Sequence, residues 1–228
     1  MPRRSRRSRP HLNQLWAGVA LAALAIQSAV AGQWVVGVQG GFAGFAVAGQ
    51  APEGSSYGRH VRVLASGVIG YRLGTSVVLR VEPGLVQKGA GVFYDVEGVE
   101  EPVDSLSLNL DYVSVPVIAQ VFTPGGRGFV TGGVEVGLLS SAVLATGPAD
   151  EQDVKDVLES ADLSWMFGAG GLVRRTQPEV SLELRYSQSL SKAYEGSAGT
   201  PVPGLPTGLR SSGFQLMAGV SWRLGGAR

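Results

Sequence analysis

The chain has 228 residues, no cysteine, two histidines and 34 glycines, and only 16% of it is charged. No disulfide or thiolate metal site can form, and His11 and His60 alone cannot build a multi-histidine centre. The charged fraction lies below the ~25% of soluble domains, and the glycines follow no Gly-X-Y period.

Residues 1–31 read as a signal peptide. Arg3, Arg4, Arg6, Arg7 and Arg9 form a basic start, Leu15 to Ile26 is an apolar run, and Ala29-Val30-Ala31 fits small-x-small cleavage before Gly32. The run is shorter than the ~20 residues that cross a bilayer as a helix. Five of the 19 basic residues and none of the 18 acidic ones lie in the leader. The mature chain, 32–228, therefore carries 14 positive and 18 negative side chains, a formal −4. That balance leaves no basic patch for nucleic acid.

From Gly32 onward, period-two patterning predicts strands near 33–46, 58–72, 76–88, 106–122, 129–145, 163–175, 179–193 and 210–224. In the second, Val61, Val63, Ala65 and Ile69 oppose His60, Arg62, Ser66 and Arg72. In the third, Val77, Leu79 and Val81 oppose Val78, Arg80 and Glu82. The fourth changes phase near Asp111. In the seventh, Val180, Leu182, Leu184 and Tyr186 oppose Ser181, Glu183, Arg185 and Ser187. The last sets Phe214, Leu216, Ala218, Val220, Trp222 and Leu224 against Gln215, Met217, Gly219, Ser221 and Arg223. Pro83 and Pro116 lie inside strand-like runs, where proline marks a bulge or strand end.

Short connections (Leu73-Gly74-Thr75, 123–128 and Thr176-Gln177-Pro178) alternate with long ones (47–57, 89–105, 146–162 and 194–209). Outer-membrane barrels alternate in this way, with short periplasmic turns and long outward loops. The predicted fold is all-β: an eight-stranded antiparallel up-and-down transmembrane β-barrel with both termini periplasmic. Trp34, Tyr71, Phe122, Phe129 and Trp222 fall at the short-turn or terminal ends of their strands and are predicted to form the periplasmic aromatic girdle. Tyr57, Tyr94 and Tyr194 are candidates for the opposite one.

A sheet in hydrocarbon must close to pair every backbone group. The second face of these strands mixes Gly70, Gly132, Gly168, Gly170 and Gly219 with isolated charges, which suits a narrow lumen better than a solvated surface. Arg72, Arg80, Glu82, Glu135, Glu183, Arg185 and Arg223 are predicted to form a paired charge network there.

Several stretches in order resemble the outer-membrane β-barrel (porin-like) domain family of Bacteroidetes and related bacteria. They are Val81-Glu82-Pro83-Gly84-Leu85-Val86-Gln87-Lys88-Gly89-Ala90, Leu110-Asp111-Tyr112-Val113-Ser114-Val115-Pro116, Gly132-Gly133-Val134-Glu135-Val136-Gly137 and Glu183-Leu184-Arg185-Tyr186-Ser187. The resemblance spans about 33–224 and implies an eight-stranded barrel in the outer membrane, more a location than a chemistry. Family members often carry an acidic residue before the proline of the fourth strand. Here Ser114 precedes Pro116 by two, so the resemblance implies no ion pair at that point. Met217-x-Gly219-x-x-Trp222-x-Leu224 resembles the β-signal read by the barrel-assembly machinery, although Gly225 to Arg228 follow it.

Functionally, the sequence predicts an integral outer-membrane scaffold with exposed loops, a filled lumen, no catalytic residues, no metal and no cofactor. Its partners are outer-membrane lipids and, during insertion, the assembly machinery. A narrow porin for small solutes is the alternative. A lipid-modifying hydrolase would need Ser56, His60 and Glu53 in mutual reach, and nothing in their spacing demands it. Asp150, Glu151, Asp153 and Asp156 in the third long connection read as a solvated acidic loop, with Val154, Val157 and Leu158 on a short amphipathic helix.

Overall fold

The computed structural model describes residues 32–48, 55–94, 103–145, 151–191 and 210–225. Ten strands form one antiparallel sheet: β1 (Gln33–Ala48), β2 (Ser55–Leu73), β3 (Val77–Val81), β4 (Gly84–Tyr94), β5 (Val103–Phe122), β6 (Gly128–Ala145), β7 (Glu151–Asp153), β8 (Ala161–Arg174), β9 (Glu179–Ser189) and β10 (Arg210–Leu224). The sheet closes on itself, because β1 pairs with β10 from Trp34↔Leu224 to Ala48↔Arg210 and with β2 on its other edge. β3 and β4 are successive halves of one stave, and β7 lies outside the ring. That leaves eight staves, each hydrogen-bonded to its neighbours in the chain: an up-and-down barrel with no free edge.

The break between β3 and β4 is Pro83. The register passes through it unchanged, from Ile69↔Val81 to Ser66↔Gly84 on β2. The proline carbonyl still accepts from Gly67 N at 2.9 Å. Pro116 sits opposite this break in β5, where Glu82 N donates to its carbonyl at 3.0 Å. The two residues that lack an N–H thus share one thin spot in the ladder, which is where a sheet tolerates them.

The burial pattern is inverted relative to a soluble protein. Val38, Phe42, Ile69, Leu85, Val117, Val134, Phe167, Leu184 and Leu216 are exposed on the outer face, while Arg80, Glu82, Lys88, Glu135, Glu183 and Arg185 are buried within. Hydrocarbon outside and paired ions inside satisfy both faces. Among the described residues no helix is long and apolar enough to cross a membrane; the strands do so instead.

β5 corrects one sequence expectation. It keeps a single phase, with every even residue from Leu108 to Phe122 buried. The irregularity is in its partner: Asp111 pairs with Ser141 but Tyr112 with Leu139, so Ser140 of β6 is the extra residue, and its Oγ donates to Asp111 O at 2.9 Å. What changes along β5 is the surroundings. Below Val113 the apolar side chains Val113, Val115 and Val117 face out and Ser114 and Gln120 face in. Above it Leu108, Leu110 and Tyr112 face in, and Asn109 and Asp111 face out. The lower stave is built for oil outside, the upper collar for water outside.

The third long connection is also corrected. It holds the strand β7, paired with β6 beyond the reach of β8 (Val143↔Asp153, Ala145↔Glu151), and one 3₁₀ turn, Lys155–Val157, rather than an amphipathic α-helix. Val154 and Leu158 are buried in the collar beside Leu108, Leu144 and Leu139. Glu151, Asp153 and Asp156 are exposed, and Asp150 lies outside the described residues.

The charged lumen as candidate functional site

The lumen is filled in layers. Beside the short turns, Val35, Val78, Phe122 and Phe129 form a buried apolar cluster with Leu172 against it. The rings of Phe122 and Phe129 meet edge to face at 5.6 Å. Both phenylalanines were expected in the aromatic girdle, and the structure places them inside instead. Phe122 shares its parity with buried Gln120, and Phe129 with buried Thr131 and Glu135. Trp34 and Trp222 do face outward, and Tyr71 meets Trp34 edge to face at 5.3 Å. Of the lumen glycines, Gly132 is likewise on the outer face, and Gly133 faces in.

At the short-turn mouth, Arg223 pairs with Glu179 at 3.0 Å. Arg72 lies over the Phe122 ring at 5.0 Å and donates to Thr75 O at 3.2 Å. It does not join the central network.

That network is one layer up. β3 and β9 stand opposite each other in the eight-stave ring, and their side chains bolt across it. Arg80 reaches Glu183 at 2.6 Å, and Arg185 reaches Glu82 at 2.8 Å; Arg185 also pairs with Glu183 on its own strand at 2.8 Å. Arg80 Nε lies 2.8 Å from Glu82 Oε1, close enough to attract but too poorly aligned to count as a hydrogen bond. Gln39 donates to Glu82 at 2.7 Å and Thr131 to Glu183 at 2.7 Å. Two cations, two anions and two neutral donors thus close a neutral ring, in which Arg80 Nε alone makes no hydrogen bond. Glycines in β8 make space for it. A Cβ at Gly168 would lie 2.8 Å from Thr131 Oγ1, and one at Gly170 would lie 2.5 Å from the Phe129 ring.

Glu135 belongs to a separate, higher layer. Lys88 lies between Glu135 at 3.0 Å and Asp162 at 2.8 Å, and over the rings of Phe45 and Tyr112 at 5.5 and 5.2 Å. Asp162 also accepts from Ser164, Ser189 and Ser191 at 3.1, 2.9 and 2.7 Å. Sequence reasoning missed Lys88, Asp162 and these serines. Parity carried the signal: Lys88 follows Arg80 and Glu82 on even residues through the Pro83 break.

Between the two layers a cavity of about 20 Å³ is lined by Gln39, Glu82, Ser114, Glu135, Arg185 and Gln215 among others. It has room for about one water. Ser114 is small and lines this gap. A second cavity of about 30 Å³ lies lower, beside Arg72, Arg80, Gln120 and Glu179.

These groups give little scope for chemistry. The hydroxyls of Ser164, Ser189 and Ser191 donate to a carboxylate already held by lysine, which makes that carboxylate a poor base. Among the described residues no group of histidine and carboxylate side chains could hold a metal. The side chains of Ser56, His60, Tyr57 and Tyr94, and residues Glu53 and Tyr194, lie outside the described residues. The loop-proximal outer face instead carries aromatics the sequence reading did not select. Trp165 stacks on Phe167 at 5.4 Å, and Tyr186 lies 5.5 Å from Phe167 and 5.1 Å from Phe214.

A closed antiparallel ring with an apolar exterior and an ion-paired interior defines a transmembrane β-barrel. The chain belongs to the outer membrane protein beta-barrel domain family, whose model matches residues 25–195. Similar solved structures include Ail, the attachment invasion locus protein of Yersinia pestis, at 14% identity and a TM-score of 0.46, covering 83% of this chain and 99% of that one. Neisserial surface protein A is similar at 13% identity and a TM-score of 0.46, covering 82% and 96%. OprG from Pseudomonas aeruginosa is similar at 10% identity and a TM-score of 0.40, covering 84% and 96%. No match was found among curated proteins. The protein is an outer-membrane β-barrel that sits in the lipid of the bacterial outer membrane.

Proposed function

We propose that this barrel is a scaffold that holds its long loops at the cell exterior and conducts no solute. One observation carries the reading: the lumen is crossed by two successive layers of buried ion pairs, Arg80–Glu183 with Arg185–Glu82, and Lys88 with Glu135 and Asp162. The gap between the layers and the cavity below them each hold about one or two waters. In this reading the leader is removed after Ala31, the short turns and termini face the periplasm, and the last strand is read by the barrel-assembly machinery. Fixed ions bolted across eight staves leave no continuous aqueous column.

Planar-bilayer recording on the purified, refolded protein tests the reading. The wild type is expected to give no steady ion-dependent channels. An R80A/E82A/E183A/R185A variant, which loses both central bolts, is expected to conduct more than the wild type. Regular channels from the wild type would make the protein a narrow pore for small solutes instead.

A further inference from the structure

Charge at the short-turn end has one sign. The turns at 74–76, 123–127 and 175–178 contain no Asp or Glu. Arg72, Arg127, Arg174, Arg175 and Arg223 lie in them or at the adjoining strand ends, and Glu179, the one acid nearby, is engaged by Arg223. At the opposite end the exposed strap is acidic, with Glu151, Asp153, Asp156 and Glu159 against Lys155.

Three of the five arginines form one patch. Leu172 N donates to Arg127 O at 2.7 Å, which joins the β5–β6 turn to the end of β8. Arg175 crosses to the same turn: a Cβ built on Gly126 would lie 3.3 Å from its Nη2. Arg174 leads directly into it, with Nε donating to Thr176 Oγ1 at 2.9 Å. All three side chains are exposed, and among the described residues none has a carboxylate within ion-pair distance. Next to them on the outer face lie Val130 and Val173, 53% and 69% exposed. Three unneutralised guanidiniums therefore border the hydrocarbon band at the level where a lipid leaflet places its headgroups.

We propose that Arg127, Arg174 and Arg175 form a binding site for the phosphate groups of anionic phospholipids in the leaflet bordering the short turns. A guanidinium takes a phosphate through two parallel N–H bonds, which an ammonium cannot do. Long arginine stems can cover apolar surface while their charged heads stay at the interface. Arg174 keeps its Nη donors free while Thr176 orients its Nε. An acidic soluble protein would also find positive charge here, but the adjoining valines place the patch against lipid rather than open water. The inference needs only the membrane-inserted barrel and does not depend on whether the lumen conducts.

The mature chain, residues 32–228, in mixed phosphatidylcholine–phosphatidylglycerol nanodiscs, analysed by native mass spectrometry of the lipids retained, gives the test. Phosphatidylglycerol is expected to be retained over phosphatidylcholine by at least about tenfold. An R127Q/R174Q/R175Q variant should lose that preference, an all-lysine variant should recover part of it, and K155Q at the acidic end should keep all of it. Equal retention of the two lipids by the wild type would overturn the proposal, and this arm stands even if the triple variant does not fold. So would an unchanged preference in a triple variant whose unboiled gel mobility shows a folded barrel. Tighter arginine-dependent capture of lipid A than of phosphatidylglycerol would assign the patch to the opposite leaflet, and capture of polyglutamate ahead of either lipid would assign it to a soluble partner. Either result would replace the proposal.

Discussion

Arg185 is 2% exposed and serves two carboxylates, Glu82 and Glu183. Replacing it with methionine keeps the bulk but leaves a negative charge in the lumen without its partner. Breaking one member of a buried pair costs about 3 to 5 kcal/mol. An R185M barrel should therefore unfold at clearly lower urea than the wild type in the same detergent. R72M, at the partly open mouth, should shift by less than about 1 kcal/mol. The glycines make an equally local contrast. Gly170→Ala drives a methyl into the Phe129 ring and should cost about 1 to 3 kcal/mol. Gly44→Ala meets nothing within 4 Å and should be neutral in the same unfolding experiment. Five of the seven charges read from sequence as luminal are buried: Arg80, Glu82, Glu135, Glu183 and Arg185. Their partners could not be read. Pairing across the ring depends on which staves stand opposite, and no local pattern records that.

At the scale of the element, β5 shows why strand parity was legible and its meaning was not. Alternation identifies two faces but not the solvent each one meets. Where the surroundings swap near Asp111, an unbroken strand looks like a slipped one. The swap can be tested by charge. Val115→Lys, on the lipid-facing part, should destabilise by about 2 to 4 kcal/mol, as cations do at the bilayer midplane. Asp111→Lys, on the water-facing collar of the same strand, should stay within about 0.5 kcal/mol. Urea titrations of both variants in lipid vesicles check the difference. Phe122 and Phe129 point inward for a related reason: parity, not nearness to a turn, sets the face, and Val121 and Val130 beside them occupy the outer one. The strap at 151–158 is held by few contacts, chiefly Val154 and Leu158 and the bond from Val154 N to Ala142 O at 3.0 Å. Val154→Asp should speed protease cleavage in this segment while the unboiled barrel keeps its mobility on a gel.

For the whole molecule, alternating short and long connections were enough to predict eight staves and an up-and-down order, because hairpin neighbours in sequence become neighbours in the ring. Closure joins residues almost the full chain apart, such as Trp34 and Leu224, and so makes unfolding cooperative. Backbone amides from all eight staves should exchange with solvent together and slowly, and those of β7 much sooner. Hydrogen exchange in detergent micelles reads this directly; early exchange at the β1–β10 seam would show that the ring opens there.

The change of surroundings along β5 also fixes how deep the barrel rides. Sliding the molecule outward by one residue pair would lift Val113 and its neighbours into water, and sliding it inward would submerge Asn109 and Asp111 in acyl chains. Both displacements raise the free energy, so the bilayer surface settles at a waterline written on the wall itself. Above that line the described wall of β5 turns Asn109 and Asp111 outward and keeps Leu108 and Leu110 inside, as a water-facing strand does. The rim there could be re-cut or exchanged for another without touching the part that swims in lipid.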